Sequence, residues 1–505
     1  MIKLIYRIES DYMSKKRMLI VTSVTLSVVT ISLGIVKLYQ TYALSNYIGT
    51  VTDTGIDVYI NDDSYASIPA NGSSNVYYML TNTNPGTVKY GVAYQTTSGV
   101  TVKVYDTSED PATGTIEEND KKYIKLHLEN KNSTNKTIEL STVLGYENGG
   151  DLVVPSGVTL VTDTYTPPPT AAEYITKLYT TASKTTVTNN SITYNTAPSV
   201  SLMNDRLGGT TTDLDGGNIR YYGASPNNYI YFNCSDYSNQ TSSTCETWRI
   251  IGVFNGKLKI IRGSQIGTYS WDNKDTSTGA ESNFGKNDWT TARLMKLLNP
   301  SDYYTTDSND NNLGQGLYYN SASGKCYSGQ NNATVDCNFT STGIKNDITR
   351  NMIAETTYNL GGWNTNKIYS NQIYEYERGT TVYTGRPTTP WTGKIALAYP
   401  SDYGYAADLN QCKDKILKDY DNSTCTSNNW MKAIITDNGS NHGWLLTPVS
   451  SYSHSVWSVY SSGYVIYRSA YNVIGVVPVL SLSSKLGIEP GSGDGSSSNP
   501  YKLSA

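Results

Sequence analysis

The amino-acid sequence predicts a multidomain protein that consists of an N-terminal transmembrane helix, an all-β sandwich and a C-terminal α+β domain. Three observations predict this fold class. The chain has 505 residues, whereas single hydrophobic cores stop growing at about 250 to 300 residues. An uncharged, apolar run covers residues 18–36. Beyond residues 167–169, which read Pro-Pro-Pro, the composition changes, and every tryptophan and phenylalanine lies after residue 230.

The apolar run is long enough, as a helix, to cross a hydrocarbon layer of about 30 Å. Lys15, Lys16 and Arg17 precede it. The positive-inside rule therefore predicts a cytoplasmic tail at residues 1–17 and a signal-anchor helix at residues 18–38. A cleaved signal peptide is the alternative, although its apolar core would span only about 7 to 15 residues. We expect a single-pass protein of the cell membrane with its N-terminus cytoplasmic and its bulk extracellular.

The charge balance argues against a nucleic-acid partner. The formal net charge is -4 at pH 7, which is close to neutral for a chain of this size. No basic field is present that would hold a phosphate backbone, and no acidic tail points to a basic partner.

Residues 47–165 have the pattern of an all-β domain. Short alternating runs, for example at 75–80 and 122–128, are separated by Gly, Asn, Pro and Asp turns, and this spacing predicts a sandwich. Residues 77–86 resemble the strand-and-turn signature of immunoglobulin-like domains in bacterial surface proteins, without the cysteine pair and tryptophan of antibody domains. We expect this domain to act as a spacer.

Cysteine usage predicts three local disulfides. All six cysteines lie in the C-terminal part of the chain as three close pairs, and a zinc site is disfavoured because no C-x-x-C spacing occurs and only three histidines are present. Each disulfide would close a short loop and contribute about 2 to 3 kcal/mol. The expected pairs are Cys234 with Cys245, Cys326 with Cys337, and Cys412 with Cys425.

The remaining chain predicts a Pro-rich linker with a helix at residues 166–200 and a large α+β domain at residues 201–505. The linker helix is expected from Ala171 to about Thr181. In the large domain, Asn255-Gly256 is a strong signal for a hairpin turn. Three further helices are expected, the first of them capped by Asp288, and they span residues 289–298, 344–358 and 406–420.

Several segments of this C-terminal part resemble one family. They are the hairpin around Trp248, the runs at 289–295, 391–397 and 401–406, and the apolar segments 444–448 and 475–482 with the terminal Ser-Asn-Pro-Tyr at 498–501. Together they resemble surface proteins of Gram-positive bacteria whose C-terminal domain has a C-type-lectin-like fold, similar to the variable proteins of diversity-generating retroelements. The resemblance implies an adhesin or receptor-like protein that binds a protein or glycan ligand at the cell surface.

The two apolar segments at 444–448 and 475–482 enclose a run of unusual composition. Residues 449–474 are rich in Ser and Tyr with almost no carboxylates, a composition that suits a contact surface. Period-two alternation around a turn at 461–463 assigns Trp457, Val459, Val465 and Tyr467 to the core. A plain exposed sheet is the alternative. The predicted ligand-binding residues are Tyr452, Ser453, His454, Ser458, Tyr460, Tyr464, Ile466, Arg468, Ser469 and Asn472.

The sequence offers little support for catalysis. Nucleophilic catalysis needs a base beside the nucleophile, and neither His127 nor the pair His442 and His454 belongs to a recognised motif. A glycosidase needs two carboxylates, and the candidates lie near aromatic residues with solvated loops as their default role. We predict no catalytic residues, with a glycan-acting enzyme and a structural envelope protein as alternatives. The carboxylate candidates are Glu375, Glu377, Asp402 and Asp408.

Calcium is the main cofactor alternative. Residues 213–218 and 307–312 supply oxygen ligands, but neither segment forms a twelve-residue EF-hand loop with its terminal Glu. Glu489-Pro490-Gly491 is only superficially similar to the Glu-Pro-Asn motif of calcium-dependent lectins. We therefore predict no cofactor and no metal ligand, with calcium left open as the alternative.

Overall fold

The computed structural model describes residues 44–52, 55–59, 65–82, 86–145, 152, 154–205, 217–274, 283–305, 313–379, 381–383, 386–387, 390–489 and 491–504. The chain divides into two compact units, Met1–Pro167 and Pro168–Ala505. Strands dominate both units, and the described helices are short.

The predicted fold class and localisation need correction at the N-terminus. Within the described ranges, no helix is both long enough and apolar enough to cross a membrane. The longest helix there, Ala171–Thr181, has 11 residues, about half of the roughly 20 that a membrane span requires. The transmembrane helix predicted at 18–38 and the cytoplasmic tail at 1–17 lie outside the described residues. We therefore retain neither the membrane-anchored fold class nor the single-pass localisation.

The first unit contains two antiparallel sheets. Their strands are β1 (Leu44–Thr52), β2 (Gly55–Tyr59), β3 (Tyr65–Ile68), β4 (Gly72–Asn82), β5 (Val88–Gln95), β6 (Val100–Tyr105), β7 (Thr113–Ile116), β8 (Lys121–Asn130), β9 (Lys136–Gly145), β10 (Val158–Leu160) and β11 (Thr164–Tyr165). One sheet has the strand order β11-β6-β8-β4-β1-β2, in which only β11 and β6 run parallel. The other sheet has the order β10-β5-β9-β3, with β7 paired to β5.

The two sheets of the first unit share one apolar core. Alternate residues of β4 are buried, including Val76, Tyr78 and Leu80, and they belong to the same cluster as Ile138 and Leu140 of β9. This alternation is the pattern of strands that bury one face only. The first unit is therefore a two-sheet β structure around a single core.

The second unit is built on a nine-stranded and a five-stranded sheet. Their strands are β12 (Thr185–Asn189), β13 (Ile192–Ala197), β14 (Leu202–Asn204), β15 (Ile219–Tyr221), β16 (Tyr229–Phe232), β17 (Glu246–Phe254), β18 (Lys257–Arg262), β19 (Thr268–Tyr269), β26 (Ile395–Ala396), β27 (Gly443–Pro448), β28 (Ser455–Val459), β29 (Val465–Ser469), β30 (Ile474–Gly475) and β31 (Val479–Ser481). The larger sheet has the order β12-β13-β14-β15-β17-β18-β31-β26, with β16 paired to β17. The smaller sheet has the order β19-β30-β27-β28-β29.

Two-stranded pairs and short helices complete this unit. The pairs are β20 (Ser323–Tyr327) with β21 (Thr334–Asn338), β22 (Thr356–Tyr358) with β25 (Trp391–Gly393), β23 (Thr381–Tyr383) with β24 (Arg386–Pro387), and β32 (Gly487–Ile488) with β33 (Leu503–Ser504). The helices are α1 (Ala171–Thr181), α2 (Arg293–Leu298), α3 (Asp347–Met352), α4 (Ser370–Glu377), α5 (Pro400–Tyr405), α6 (Ser423–Ser427) and α7 (Trp430–Ile435), with 3₁₀ turns at Pro198–Val200, Ser301–Tyr303, Leu417–Asp419 and Asp437–Gly439.

The helix predicted at Ala171–Thr181 is confirmed. A capping box begins it, because the Thr170 hydroxyl accepts from the Glu173 backbone N–H while the Glu173 carboxylate accepts from Thr170. The predicted turn at Asn255-Gly256 also joins β17 to β18 as expected.

The other predicted helices are shorter or displaced. The first begins at Arg293 instead of residue 289, since the Asp288 carboxylate accepts from the backbone and hydroxyl of Thr290 and forms a turn. The second covers only Asp347–Met352. The helix predicted at 406–420 is wrong, because Pro400 starts a helix that ends at Tyr405.

The strands in the middle of the second unit are buried on both faces. Trp444 and Leu446 of β27 pack into one apolar cluster, while Leu445 between them packs into another. In β28, Val456 packs into the cluster of Trp444 and Leu446, while Trp457 packs into the cluster of Leu445. Strands with two buried faces carry continuous apolar runs, which explains the sequence of the 444–448 segment.

The disulfide prediction is confirmed. Cys234 bonds to Cys245, Cys326 to Cys337 across the pair of β20 and β21, and Cys412 to Cys425.

Candidate functional site

The predicted contact surface centres on the hairpin of β28 and β29. Val459 lies opposite Val465 and Ser455 opposite Ser469. At the turn, Gly463 has a φ of 115°, a conformation that side-chain-bearing residues rarely adopt. The Gly463 N–H donates to the Tyr460 carbonyl at 2.8 Å, and the buried Tyr403 hydroxyl donates to the Gly463 carbonyl. The turn is thereby tied to the core below it.

The two strands differ sharply in exposure. All five residues of β28 are buried, whereas β29 is buried only at Val465. Two assignments are corrected here. Ser458 is fully buried and its hydroxyl donates to the Ile466 carbonyl at 2.9 Å, so it cannot contact a partner. Tyr467, assigned to the core, is 43% exposed.

An exposed aromatic group lies on one side of this hairpin, and we call it the aromatic patch. Tyr452 lies 5.7 Å from Tyr467 and 6.0 Å from His454 between ring centroids, and Phe284 lies 5.0 Å from His454 and 5.5 Å from Tyr471. The rings thus form a connected set. Tyr452 is 45% and Phe284 41% exposed.

A second group lies at the turn, and we call it the turn cluster. Tyr460 stacks on Tyr464 at 4.8 Å and lies 4.2 Å from His442, while the Arg468 guanidinium lies 5.7 Å from the Tyr460 ring. The Ser461 N–H donates to Nδ1 of His442. Burial, assisted by Arg468, lowers the pKa of His442, so the imidazole is neutral at neutral pH.

The loop that carries Tyr452 is held by one buried amide. Asn287 Nδ2 donates to the carbonyls of Val449, Tyr452 and Ser455 at 3.1, 2.7 and 2.8 Å. Its backbone N–H donates to the carbonyl of Ser453 at 2.9 Å. A single side chain therefore fixes the backbone on both sides of Tyr452 and Ser453.

The loop that carries Phe284 is anchored in a similar way. The Tyr471 N–H donates to the Phe284 carbonyl, and the Lys286 N–H donates to the Asp272 carboxylate at 2.8 Å. Gly285 between them has a φ of 84°, and a Cβ atom there would lie 2.3 Å from the Asp272 carbonyl oxygen. Only glycine fits this close approach.

Nine of the ten predicted residues have at least partly exposed side chains. Tyr452 is exposed, while the others are intermediate between buried and exposed: Ser453, His454, Tyr460, Tyr464, Ile466, Arg468, Ser469 and Asn472. The structure brings Tyr452 and His454 into the aromatic patch, and Tyr460, Tyr464 and Arg468 into the turn cluster.

Sequence reasoning missed Phe284, Asn287, Tyr467 and Tyr471. Phe284 is one of only four phenylalanines in the chain and lies in a polar loop, which is the one available signal. The role of Asn287 could not be predicted from the sequence, because the loop that it holds lies more than 160 residues later in the chain.

The carboxylates considered for catalysis do not face a common opening. Asp402 is buried and pairs with Arg220 Nη1 at 2.8 Å and with Lys259, while Asp205 binds Arg220 Nε. Although burial raises the pKa of Asp402, Lys259 and Arg220 lower it overall. Asp402 therefore belongs to a buried, paired ionic network.

Glu377 is also buried and accepts from the backbone N–H and hydroxyl of Ser401. Burial raises its pKa to about 7, against the lowering effects of Arg378 and Ser401. Glu375 is exposed and Asp408 is intermediate. Glu377 and Asp402 are neighbours, because Ser401 binds Glu377 and the Asp402 charge contributes to the raised pKa of Glu377, but both are buried and do not form an open pair of carboxylates.

The calcium candidates at 213–218 and 307–312 lie almost wholly outside the described residues. Within the described ranges, no group of three or more His, Cys, Asp or Glu side chains is placed to hold a metal ion.

The comparisons with known proteins are sparse. No protein-family model matches the chain, and the search of curated proteins finds no match. Among solved structures, the envelope protein VP37 of White Spot Syndrome Virus matches with 13% sequence identity, covering 20% of this chain and 96% of that chain, at a TM-score of 0.12. A TM-score of this size carries no argument about fold or function.

Proposed function

We propose that the second unit is a ligand-binding module that contacts a partner protein through the aromatic patch and the turn cluster. The observation that carries this proposal is the connected set of large aromatic side chains, of which Phe284, Tyr452 and Tyr467 are each more than two-fifths exposed. Exposed aromatic groups of this kind mark interaction surfaces, and tyrosine provides a large contact area at low entropic cost.

The scaffold beneath this surface supports the proposal. β28 is buried on both faces, and the Asn287 amide and the Tyr403 hydroxyl hold the flanking loops. A preorganised surface loses little conformational entropy on binding, so more of the contact energy contributes to affinity.

The charge of the surface favours a neutral or acidic partner. Residues 449–474 contain no Asp or Glu, and Arg468 is the only Lys or Arg among them. The Arg468 side chain is partly exposed, so it would form an ion pair with an acidic side chain of a partner.

The family resemblance extends the proposal. If residues 201–505 act like the ligand-binding domains of the bacterial surface proteins that they resemble, the segment 449–474 is the region that diversification would change. A reverse-transcriptase gene near the coding sequence, with a near-copy of this segment that differs at adenines, would support that extension, and a neighbourhood without either would contradict it.

The binding proposal is tested with the full chain and two variants. Tyr452→Ser combined with Tyr467→Ser removes the two most exposed tyrosines of the aromatic patch. Tyr123→Ser removes a comparably exposed tyrosine, 37% accessible, from the first unit. The full chain and the two variants would each be immobilised, and the proteins that they capture would be compared. Each captured protein would then be purified and titrated against all three.

We expect at least one purified partner to bind saturably, and to bind the double variant at least about 30-fold more weakly, because the loss of even one aromatic hot spot costs about 2 kcal/mol. The Tyr123→Ser control should bind normally. Equal binding to all three proteins would contradict the proposal. If the full chain and the Tyr123→Ser control bound a glycan array and the double variant did not, the partner would be a glycan and not a protein. Concentration-dependent self-association in sedimentation, lost in the double variant, would favour the structural role instead.

A further inference from the structure

A cavity lies in the second unit beside the N-terminal half of β17. It has a volume of about 500 Å³, within the range of small-molecule sites. Tyr229 and Arg249 lie opposite each other in the pairing of β16 and β17, and Trp430 and Ala433 of α7 also line the cavity. The other residues that line it are Glu246, Thr247, Arg262, Gly263, Ser264, Ile434 and Asn438.

Arg249 is the distinctive residue of this cavity. Its guanidinium carbon lies 3.7 Å from the centre of the Tyr229 ring and 4.9 Å from that of Trp430. Its Nε donates to Asn228 Oδ1 at 2.5 Å and its Nη2 to the Pro226 carbonyl at 3.2 Å. The Asn228 amide in turn donates to the Ile250 carbonyl, which fixes the orientation of its oxygen. The guanidinium is therefore held rigidly.

No carboxylate neutralises Arg249 within the part of the chain that the structure describes. The one carboxylate that lines the cavity, Glu246, forms a two-pronged pair with Arg262 through Nε and Nη2, at 3.0 and 3.1 Å. The lining therefore carries two guanidinium groups and one carboxylate, a net charge of +1. Arg249 is only 6% exposed, and burying an unpaired charge is costly. Burial lowers its pKa to about 10, which shows the same cost.

We propose that this cavity binds a small organic carboxylate, with the carboxylate group against Arg249 and a flat carbon body along Tyr229 and Trp430. This site is independent of the aromatic patch. The planar guanidinium matches the geometry of a carboxylate, and aromatic walls favour a flat, apolar body. The charge of the lining favours a carboxylate over a phosphate, because its net charge of +1 balances one carboxylate but not a phosphate dianion. The Thr247 and Ser264 side chains offer hydroxyl groups at the cavity surface.

The test uses the full chain and benzoate as the probe, with benzamide as its uncharged analogue and inorganic phosphate as the dianion. Binding would be measured by ligand-observed NMR titration at low ionic strength. We expect saturable binding of benzoate, with benzamide and phosphate each at least about tenfold weaker, since charge-assisted hydrogen bonds are about twice as strong as neutral ones. Arg249→Gln should abolish benzoate binding.

Since Arg249→Gln removes a buried residue and could fail to fold, a second pair of variants keeps the test decisive. Ala433 is exposed on α7 at the cavity wall. Ala433→Glu adds a negative charge there, while Ala433→Gln adds nearly the same volume without charge. We expect benzoate to bind at least about threefold more weakly to the Glu variant than to the Gln variant, the effect of like charges about 7 Å apart even at the dielectric constant of water.

Equal affinity of the two Ala433 variants would overturn the proposal, and so would equal binding of benzoate and benzamide. Tighter binding of phosphate than of benzoate would overturn the carboxylate assignment. Loss of partner binding by the Tyr452 and Tyr467 double variant bears only on the aromatic patch, so the two proposals fail separately.

Discussion

Replacing Asn287 with Ala should loosen the loop at 449–455 without disturbing the rest of the second unit. The amide carries two N–H groups that serve three carbonyls, those of Val449, Tyr452 and Ser455. The side chain is fully buried, so water cannot replace it without a rearrangement of the loop. Each buried carbonyl that loses its donor costs about 1 to 3 kcal/mol, and two full bonds are lost. We expect a local cost of about 3 kcal/mol.

The matched control is Asn299→Ala. Asn299 is also fully buried, and its Nδ2 donates to the carbonyls of Met295 and Ile395 at 3.0 and 2.8 Å. Both variants remove two amide donors from backbone carbonyls, and Asn299→Ala also removes the acceptor of the Lys394 and Ile395 N–H groups. Global destabilisation should therefore be at least as large in Asn299→Ala, while the loop that carries Tyr452 should respond only to Asn287→Ala.

Hydrogen exchange followed by mass spectrometry measures the difference. Amides in the peptide that covers 449–456 should exchange about 100-fold faster in Asn287→Ala than in the wild type, which corresponds to a local cost of about 3 kcal/mol. Tryptophan fluorescence during urea unfolding reports the stability of the second unit, because all eight tryptophans lie there. Equal protection of this peptide in the Asn287→Ala and Asn299→Ala proteins would refute the reasoning.

Two further predictions concern buried groups of the second unit. The pKa of Glu377 is raised from 4.5 to about 7, so its stabilisation of the fold is complete below pH 4.5 and is lost as the pH rises through 7. Glu377→Gln imitates the neutral carboxyl and does not titrate. Its free energy of unfolding should therefore rise relative to that of the wild type by up to about 3 kcal/mol as the pH increases from 5 to 8. A difference between the two proteins in urea unfolding that does not change with pH would contradict this. Gly285→Ala should cost about 3 kcal/mol through the clash with the Asp272 carbonyl, whereas Gly256→Ala, which has a φ of 70° and no atom within 4 Å, should cost about 1 kcal/mol; equal melting temperatures would exclude the clash.

Local sequence signals predicted local structure well. Thr170 and Glu173 lie three residues apart and form the capping box that begins α1, and Asn255-Gly256 forms the turn between β17 and β18. The three disulfides follow from short cysteine separations. In each case the residues that determine the structure are neighbours in the chain.

The candidate site could be predicted only in part because its environment is set by distant residues. Alternation assigned Ser458 to the surface, but a strand with two buried faces does not follow a period-two pattern. Tyr467 of β29 lies opposite Trp457 of β28 with an interplanar angle of 79° between the rings, and this contact leaves Tyr467 43% exposed. Phe284 reaches the aromatic patch from a segment almost 170 residues earlier, through the backbone bond with Tyr471.

The contrast between the buried β28 and the open β29 also bears on how this protein tolerates mutation. Four of the five side chains of β28 pack into an apolar cluster or form a buried hydrogen bond, so most replacements there would leave a cavity or an unsatisfied polar group. The side chains of the proposed contact surface lie instead on β29, in the loop held by Asn287 and at the turn held by Tyr403, where most of them are at least partly exposed. A library randomised at Tyr452, Tyr464, Ile466, Tyr467 and Asn472 should therefore consist largely of folded proteins that differ in what they bind.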